Sequence, residues 1–462
     1  AFGALALDAN TTGNYNNAFG NGAMGATTTG QQNVGIGEQS SRTGTTASFN
    51  TAVGANSLYT NQTGQQNTAI GRAALFNYTG SYNTGIGDLA LYACTTGIDN
   101  SALGYNSLAQ NTTGQSNTGI GNNALDANST GSSNTGIGRN ALGANTTASN
   151  NTALGRDALL FNTTGISNTA VGANTLDANT TSNNNTAVGF NAFGANTSGS
   201  EGTAIGKSAL ETNTTGESNT AVGHIALGNN TSGSNNTGIG RGALNANVGA
   251  NNNTAVGFYA LSANTTGNDS IAIGYQALYQ GTALTQQLAI GNQAGYSTTG
   301  SDNVFIGHQA GYSNTSGNFN TAIGHRVFMQ NTTGANNSAL GIGALGANTT
   351  GDYNTAIGRN ALDLNTTADY NTAVGSNALD ACTTGTSNVG VGSECLGAAT
   401  TGSTNSALGV SALQGLTTGG SNVAMGVQAM QLQTTGSNNT ALGKDALRYF
   451  VASNNTAVGM DS

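Results

Sequence analysis

The stretch that decides the fold is Asn117-Thr118-Gly119-Ile120-Gly121-Asn122-Asn123-Ala124-Leu125-Asp126-Ala127-Asn128-Ser129-Thr130-Gly131-Ser132-Ser133, because it begins again at once as Asn134-Thr135-Gly136-Ile137-Gly138. A β-branched hydrophobe flanked by small residues reads as a short strand, and runs rich in Gly, Asn, Ser and Thr read as turns. Counting outward from Gly121, a glycine in the same place closes every unit from Gly3 to Gly459, which gives 28 anchors. They lie 17 residues apart, except for three intervals of 16 (Gly71 to Gly87, Gly291 to Gly307, Gly443 to Gly459). Helical-pair repeats need about 33 residues or more, so this period is too short for them. Two short strands and two turns per 17 residues make one coil of a parallel β-solenoid. The expected fold is therefore all-β, a stack of about 28 coils at the ~4.8 Å strand spacing, roughly 130 Å long. No interval breaks by more than one residue, so residues 1–462 read as one continuous array. Its opening inside a repeat reads as a segment of a longer chain.

The columns of this array are strict. The residue before the anchor is hydrophobic in every unit, and the one before that is Ala or Gly except at Phe305. Four residues before the anchor stands Asn, with Gly202, Ser270 and Gln287 as exceptions. Four residues after it stands Leu, Met or Phe, with Ser41, Gly295 and Gly311 as exceptions. In a parallel stack each residue sits above its equivalent, so an Asn column can bond amide to amide. Asn117, Asn134, Asn151, Ile120, Ile137, Gly121, Gly138, Leu125 and Leu142 are the expected rungs of this structural ladder. Like charges at that spacing would repel, which accounts for a charged fraction of only 6 %. Strand alternation puts Thr and Ile on one face and Ala and Gly on the other. The expectation drawn from it is that Ile fills the coil, while the Ala/Gly face packs closely against another chain, a tight bend being the other reason for small residues there.

The Asn-Thr-Ala-Ile-Gly and Ala-Leu columns resemble the head repeats of trimeric autotransporter adhesins. The 17-residue form with Asn-Thr-Thr-Gly also resembles arrays in tail-fibre-type proteins of bacteria and phages. The resemblance spans the whole chain. It implies a left-handed β-roll, three chains side by side, and a place on a cell surface or virion. The unit is longer than that of the adhesin heads, so the extra residues belong to a wider turn.

Little chemistry accompanies the pattern. A net charge of −9 offers no basic patch for phosphates, so nucleic acid is not an expected partner. No run approaches the ~20 apolar residues of a membrane span. The three cysteines, Cys94, Cys382 and Cys395, replace Asn or Ala in ladder columns and read as small buried substitutes. His224, His308 and His325 all follow an anchor glycine, with no carboxylate or thiol column beside them, so neither a metal nor a cofactor is expected. No Ser/His/Asp or Cys/His constellation and no carboxylate dyad clusters, and an enzyme is not expected. Asn-x-Thr/Ser sequons such as Asn128 and Asn162 recur in most coils and read as turn residues rather than glycan carriers.

The tract from Phe258 to Phe328 is the least regular. Its aromatics, on a rigid ladder, would bind glycans or a protein partner by stacking. Tyr275, Tyr296, His308, Tyr312 and His325 are the candidate binding surface. Aromatic infill where Leu was lost accounts for the same tract without a ligand. The function expected from the whole is that of a structural and adhesive fibre for surface attachment or filament formation, extracellular or on a cell surface, self-assembled as a homotrimer or higher fibre and touching host glycans or proteins. A virion tail-fibre shaft and an ice-binding solenoid are the alternatives.

Overall fold

The structure is a computed structural model and describes residues 1–462. Backbone contacts gather them into two units, Ala1–Ser234 and Asn235–Ser462. The first holds thirteen strands, β1 (Asn17–Phe19) to β13 (Thr220–Val222), and the second fourteen, β14 (Thr237–Ile239) to β27 (Thr456–Val458). Within each unit successive strands pair in parallel and in register, one coil on the next. In the first unit Thr118, Gly119 and Ile120 lie beside Thr135, Gly136 and Ile137; in the second Thr355, Ala356 and Ile357 lie beside Thr372, Ala373 and Val374. Each unit is thus a parallel β-solenoid without helix.

Each coil has one three-residue strand, not the two expected from the sequence. The second apolar segment, Ala124-Leu125, cannot extend because the backbone there alternates into the left-handed region. Asn123 and Leu125 both have φ of 53°, and Ser133 later in the coil has 58°. Such a conformation costs a non-glycine residue about 1–2 kcal/mol. Two of these three places favour residues that tolerate it. Asn occupies the position of Asn123 in Asn106, Asn140, Asn174, Asn191, Asn360 and Asn377.

The structure also reverses the expected facing of the strand. In every strand up to β26 the central residue, Ala or Gly except for Phe305 in β18, is buried and its two neighbours are half-buried or exposed. Ala153, Ala170 and Ala187 are wholly buried, whereas Ile36, Leu103 and Leu154 are more than 40 % exposed. The Ala/Gly column is therefore the inside of the coil. It cannot be the chain-packing face, and Ile is not its filling. The reason is space. Leu108 and Ser107 reach across the coil from the facing turn, and a methyl built on Gly119 would already crowd Ser107 Oγ at 2.6 Å. Leu125, Leu142 and Leu159, with Ala124, Ala141 and Ala158, complete this narrow core.

Two buried Asn columns hold the coil's other corners. In one, the Asn134 backbone N–H donates to Asn117 Oδ1 at 3.0 Å, and Asn151 N–H to Asn134 Oδ1 at 3.0 Å. Asn117 Nδ2 donates to the Gly131 carbonyl of the next coil at 2.8 Å. In the other, Asn128, Asn145 and Asn162 each donate Nδ2 to the Oδ1 of the preceding rung, at 2.9, 2.8 and 3.1 Å. The adjoining Thr column caps each turn: Thr95, Thr96 and Gly97 N–H and Thr95 Oγ1 all donate to the Thr112 carbonyl.

The departures from the repeat compensate one another. Phe305 occupies the Ala column and is wholly buried. A side chain on either Gly295 or Gly311 would strike its ring, so the two missing leucines make room for one phenylalanine. Likewise Phe193 stands for Leu, and Gly202 stands for Asn where a Cβ would crowd the Phe193 ring. Tyr78 replaces a ladder Asn in a 16-residue coil and donates its hydroxyl to the Gly97 carbonyl at 2.8 Å.

Candidate functional surface

The aromatic and imidazole candidates fall into two columns of the second unit. Tyr275, His308 and His325 follow an anchor glycine, whereas Tyr296 and Tyr312 stand five residues after one. His308 and His325 stack on each other, with centroids 5.1 Å apart and rings 10° from parallel. Tyr296 stacks on Tyr312 at 5.0 Å and on Tyr279 at 5.3 Å, and Tyr275 stacks on Phe258 at 5.5 Å. These rings meet face to face along the ladder, so they offer edges and polar atoms outward more than open faces. No group of three or more His, Cys, Asp or Glu is placed to hold a metal ion.

The expected ladder residues separate into interior and exterior. Asn117, Asn134, Asn151, Leu125 and Leu142 are buried. Ile120 and Ile137 point outward. Gly121 and Gly138 sit at the corner between, with φ of 135° and 133°. There the backbone of the next coil is so close that a methyl on Gly138 would stand within 3.0 Å of the Gly155 carbonyl.

The outward strand face is the surface that the sequence reading placed inside. Its two columns are Thr, Ser or an aliphatic residue, and Ile, Val, Leu, Met or Phe, with only Asn17 as a further type and no charged residue. In the first unit seven successive coils carry Thr118, Thr135, Thr152, Thr169, Thr186, Thr203 and Thr220. Ile36, Leu103 and Leu154 are each more than two-fifths exposed, so the second column keeps this face apolar along the unit. The signal for this lay in the small central residue of each strand, which marks the side with least room.

Asn-Thr-Thr-Gly forms a second regular surface. Asn128 and Asn162 are wholly buried and donate Nδ2 to the carbonyls of Gly131 and Gly165 at 3.0 and 2.9 Å. A glycosyltransferase has no access to such nitrogens in the folded coil.

The cysteines are free and buried. Burial pushes Cys94 and Cys395 up to about 12 and Cys382 up to about 11. Thiolate, the reactive form, is scarce at pH 8 under those conditions. Folded protein should therefore take up no iodoacetamide in an hour at pH 8, whereas all three thiols should react in denaturant. Mass spectrometry reads the count directly, and rapid labelling of the folded chain would contradict the buried placement.

Carboxylates five residues after the anchor are half-buried. Burial raises Asp363 and Asp380 above the usual carboxylate range, and Asp380 is raised further by nearby Asp363 and Glu394. No protein-family model matches the chain, and no curated protein does.

Proposed function

We propose that the chain is the shaft of an extracellular fibre, in which solenoids pack side by side through the outward Thr/aliphatic strand face. The uncharged, apolar character of that face in coil after coil is the observation that carries this reading. A soluble chain with so continuous an apolar column gains by covering it, and a second copy supplies a surface of the same repeat. Three chains is the number implied by the likeness to adhesin heads. Stacked backbone bonds and doubled Asn ladders support a stiff spacer. The repeated outer columns support many weak contacts with glycans or proteins of a host surface, whose avidity grows with their number. A virion shaft would use the same features. Electron microscopy of the purified chain tests the reading. Laterally associated, unbranched particles of uniform width are expected, and isolated single chains at micromolar concentration would contradict it.

The seven successive outward threonines favour one second reading, binding to an ice surface through a flat hydroxyl and methyl array. Thermal hysteresis of the purified chain at millimolar concentration would support it, and its absence would remove it.

A further inference from the structure

Two coils of the array lack side chains at both the second and the fifth position after the anchor, those carrying Gly22 with Gly25 and Gly343 with Gly346. Each leaves a notch in the wall between its neighbours. The first notch is filled from the next coil. The Arg42 guanidinium lies over Gly25, inside 3.0 Å of where a Cβ would stand, and its Cδ and Nε lie 3.6 Å from the same point on Gly22. At the second notch the residue equivalent to Arg42 is Asp363, which is too short to do this. Its Oδ1 reaches over Gly346 but stays 3.8 Å from the Cβ position of Gly343, where Asn360 Oδ1 is nearer at 2.8 Å. A cleft of about 590 Å³ remains, with Met329 and Arg326 on the opposite wall.

We infer that this cleft is a binding site for an arginine side chain of a partner protein, its guanidinium on the Asp363 and Asn360 oxygens that cover Gly346 and Gly343. Three observations converge on that ligand. The repeat itself shows a guanidinium in the equivalent notch. The Asp363 carboxylate is half-buried yet receives no side-chain hydrogen bond or ion pair, so its acceptor capacity is open. The next coils add Asp380 and Glu394, so three carboxylates stand against Arg326, the one arginine that lines the cleft. A planar fork of donors matches a carboxylate and a neighbouring amide oxygen better than an ammonium does. The site is independent of the strand face and of the fibre reading.

Titration of the full chain with Nα-acetyl-arginine amide, followed by nuclear magnetic resonance or calorimetry, tests this. Saturable binding at one site is expected, in about the millimolar range of a single small ligand. The citrulline analogue should fail to bind, and the lysine analogue should bind several-fold more weakly. Asp363→Asn should weaken the arginine probe at least tenfold. Asp363→Arg should abolish binding and raise the melting temperature, because it rebuilds the arrangement of Arg42. No saturable binding, equal binding of the citrulline analogue, or undiminished binding to folded Asp363→Asn would each overturn the assignment.

Discussion

Gly138→Ala is expected to destabilise the first unit by at least about 3 kcal/mol, the upper range for one residue forced into a forbidden backbone region. Gly138 has φ of 133°, where an L-residue is strained whatever the space. Space is lacking too, since the added methyl would meet the Gly155 carbonyl and carbon. Relief requires the coils to part, which endangers the 2.8 Å bond from Gly138 N–H to the Ile120 carbonyl. Each coil of a solenoid leans on its neighbours, so the damage spreads along the unit before it is contained. Gly143 is the control. Its φ is ordinary and an added Cβ has its nearest neighbours at 3.3 Å. Gly143→Ala should change stability by less than about 1 kcal/mol. Urea denaturation followed by far-ultraviolet circular dichroism measures both, and equal effects would contradict the role given to the anchor.

Asn145→Leu should cost about 2–4 kcal/mol, although the two side chains are similar in size. Asn145 is wholly buried, donates to Asn128 Oδ1 at 2.8 Å, and accepts from Asn162 Nδ2 at 3.1 Å. Leucine removes both rungs and leaves Asn128 Oδ1 in the interior without its donor. The chain shows how the same column can go without Asn. Cys382, Ala399, Leu416 and Gln433 occupy it in four successive coils, and all four are buried. The Asn365 Oδ1 at the edge of this stretch is buried without a donor, so ending the ladder leaves one orphan, and an apolar rung inside the ladder leaves another on its neighbour. Asn122→Leu, at an exposed position of the preceding coil, should change stability by no more than about 0.5 kcal/mol. A difference between Asn145→Leu and Asn122→Leu that vanished would mean that the ladder adds no stability.

The period and the parallel stacking were legible in the sequence because identical columns require identical environments. The anchors from Gly3 to Gly459 and the Asn columns needed no further information. The facing of the strand was not legible from alternation alone. Thr118 and Ile120 share a face in either orientation, and hydrophobicity favoured the wrong one. What decides is the coil's width, which Leu125 and its neighbours exhaust from the opposite side. Nor did composition announce Leu125 in the left-handed region, since leucine seldom adopts it and the core holds it there. Infill of the tract around Phe305 was legible from the two missing leucines, and the structure adds that Gly295 and Gly311 lie against its ring. The cleft over Gly343 and Gly346 needed three dimensions, because its meaning comes from Arg42 at a distant place in the chain.

The fibre reading depends on the outward strand face being covered by further copies, and the mass of the purified chain in solution tests this most directly. Light scattering should give a multiple of the 45.5 kDa chain mass, three-fold on the trimeric reading. The variant carrying Ile120→Glu, Leu154→Glu and Ile205→Glu should fall to the mass of one chain with its β-sheet circular dichroism unchanged. A wild-type mass of one chain, or a folded glutamate variant that keeps the multiple, would contradict the account.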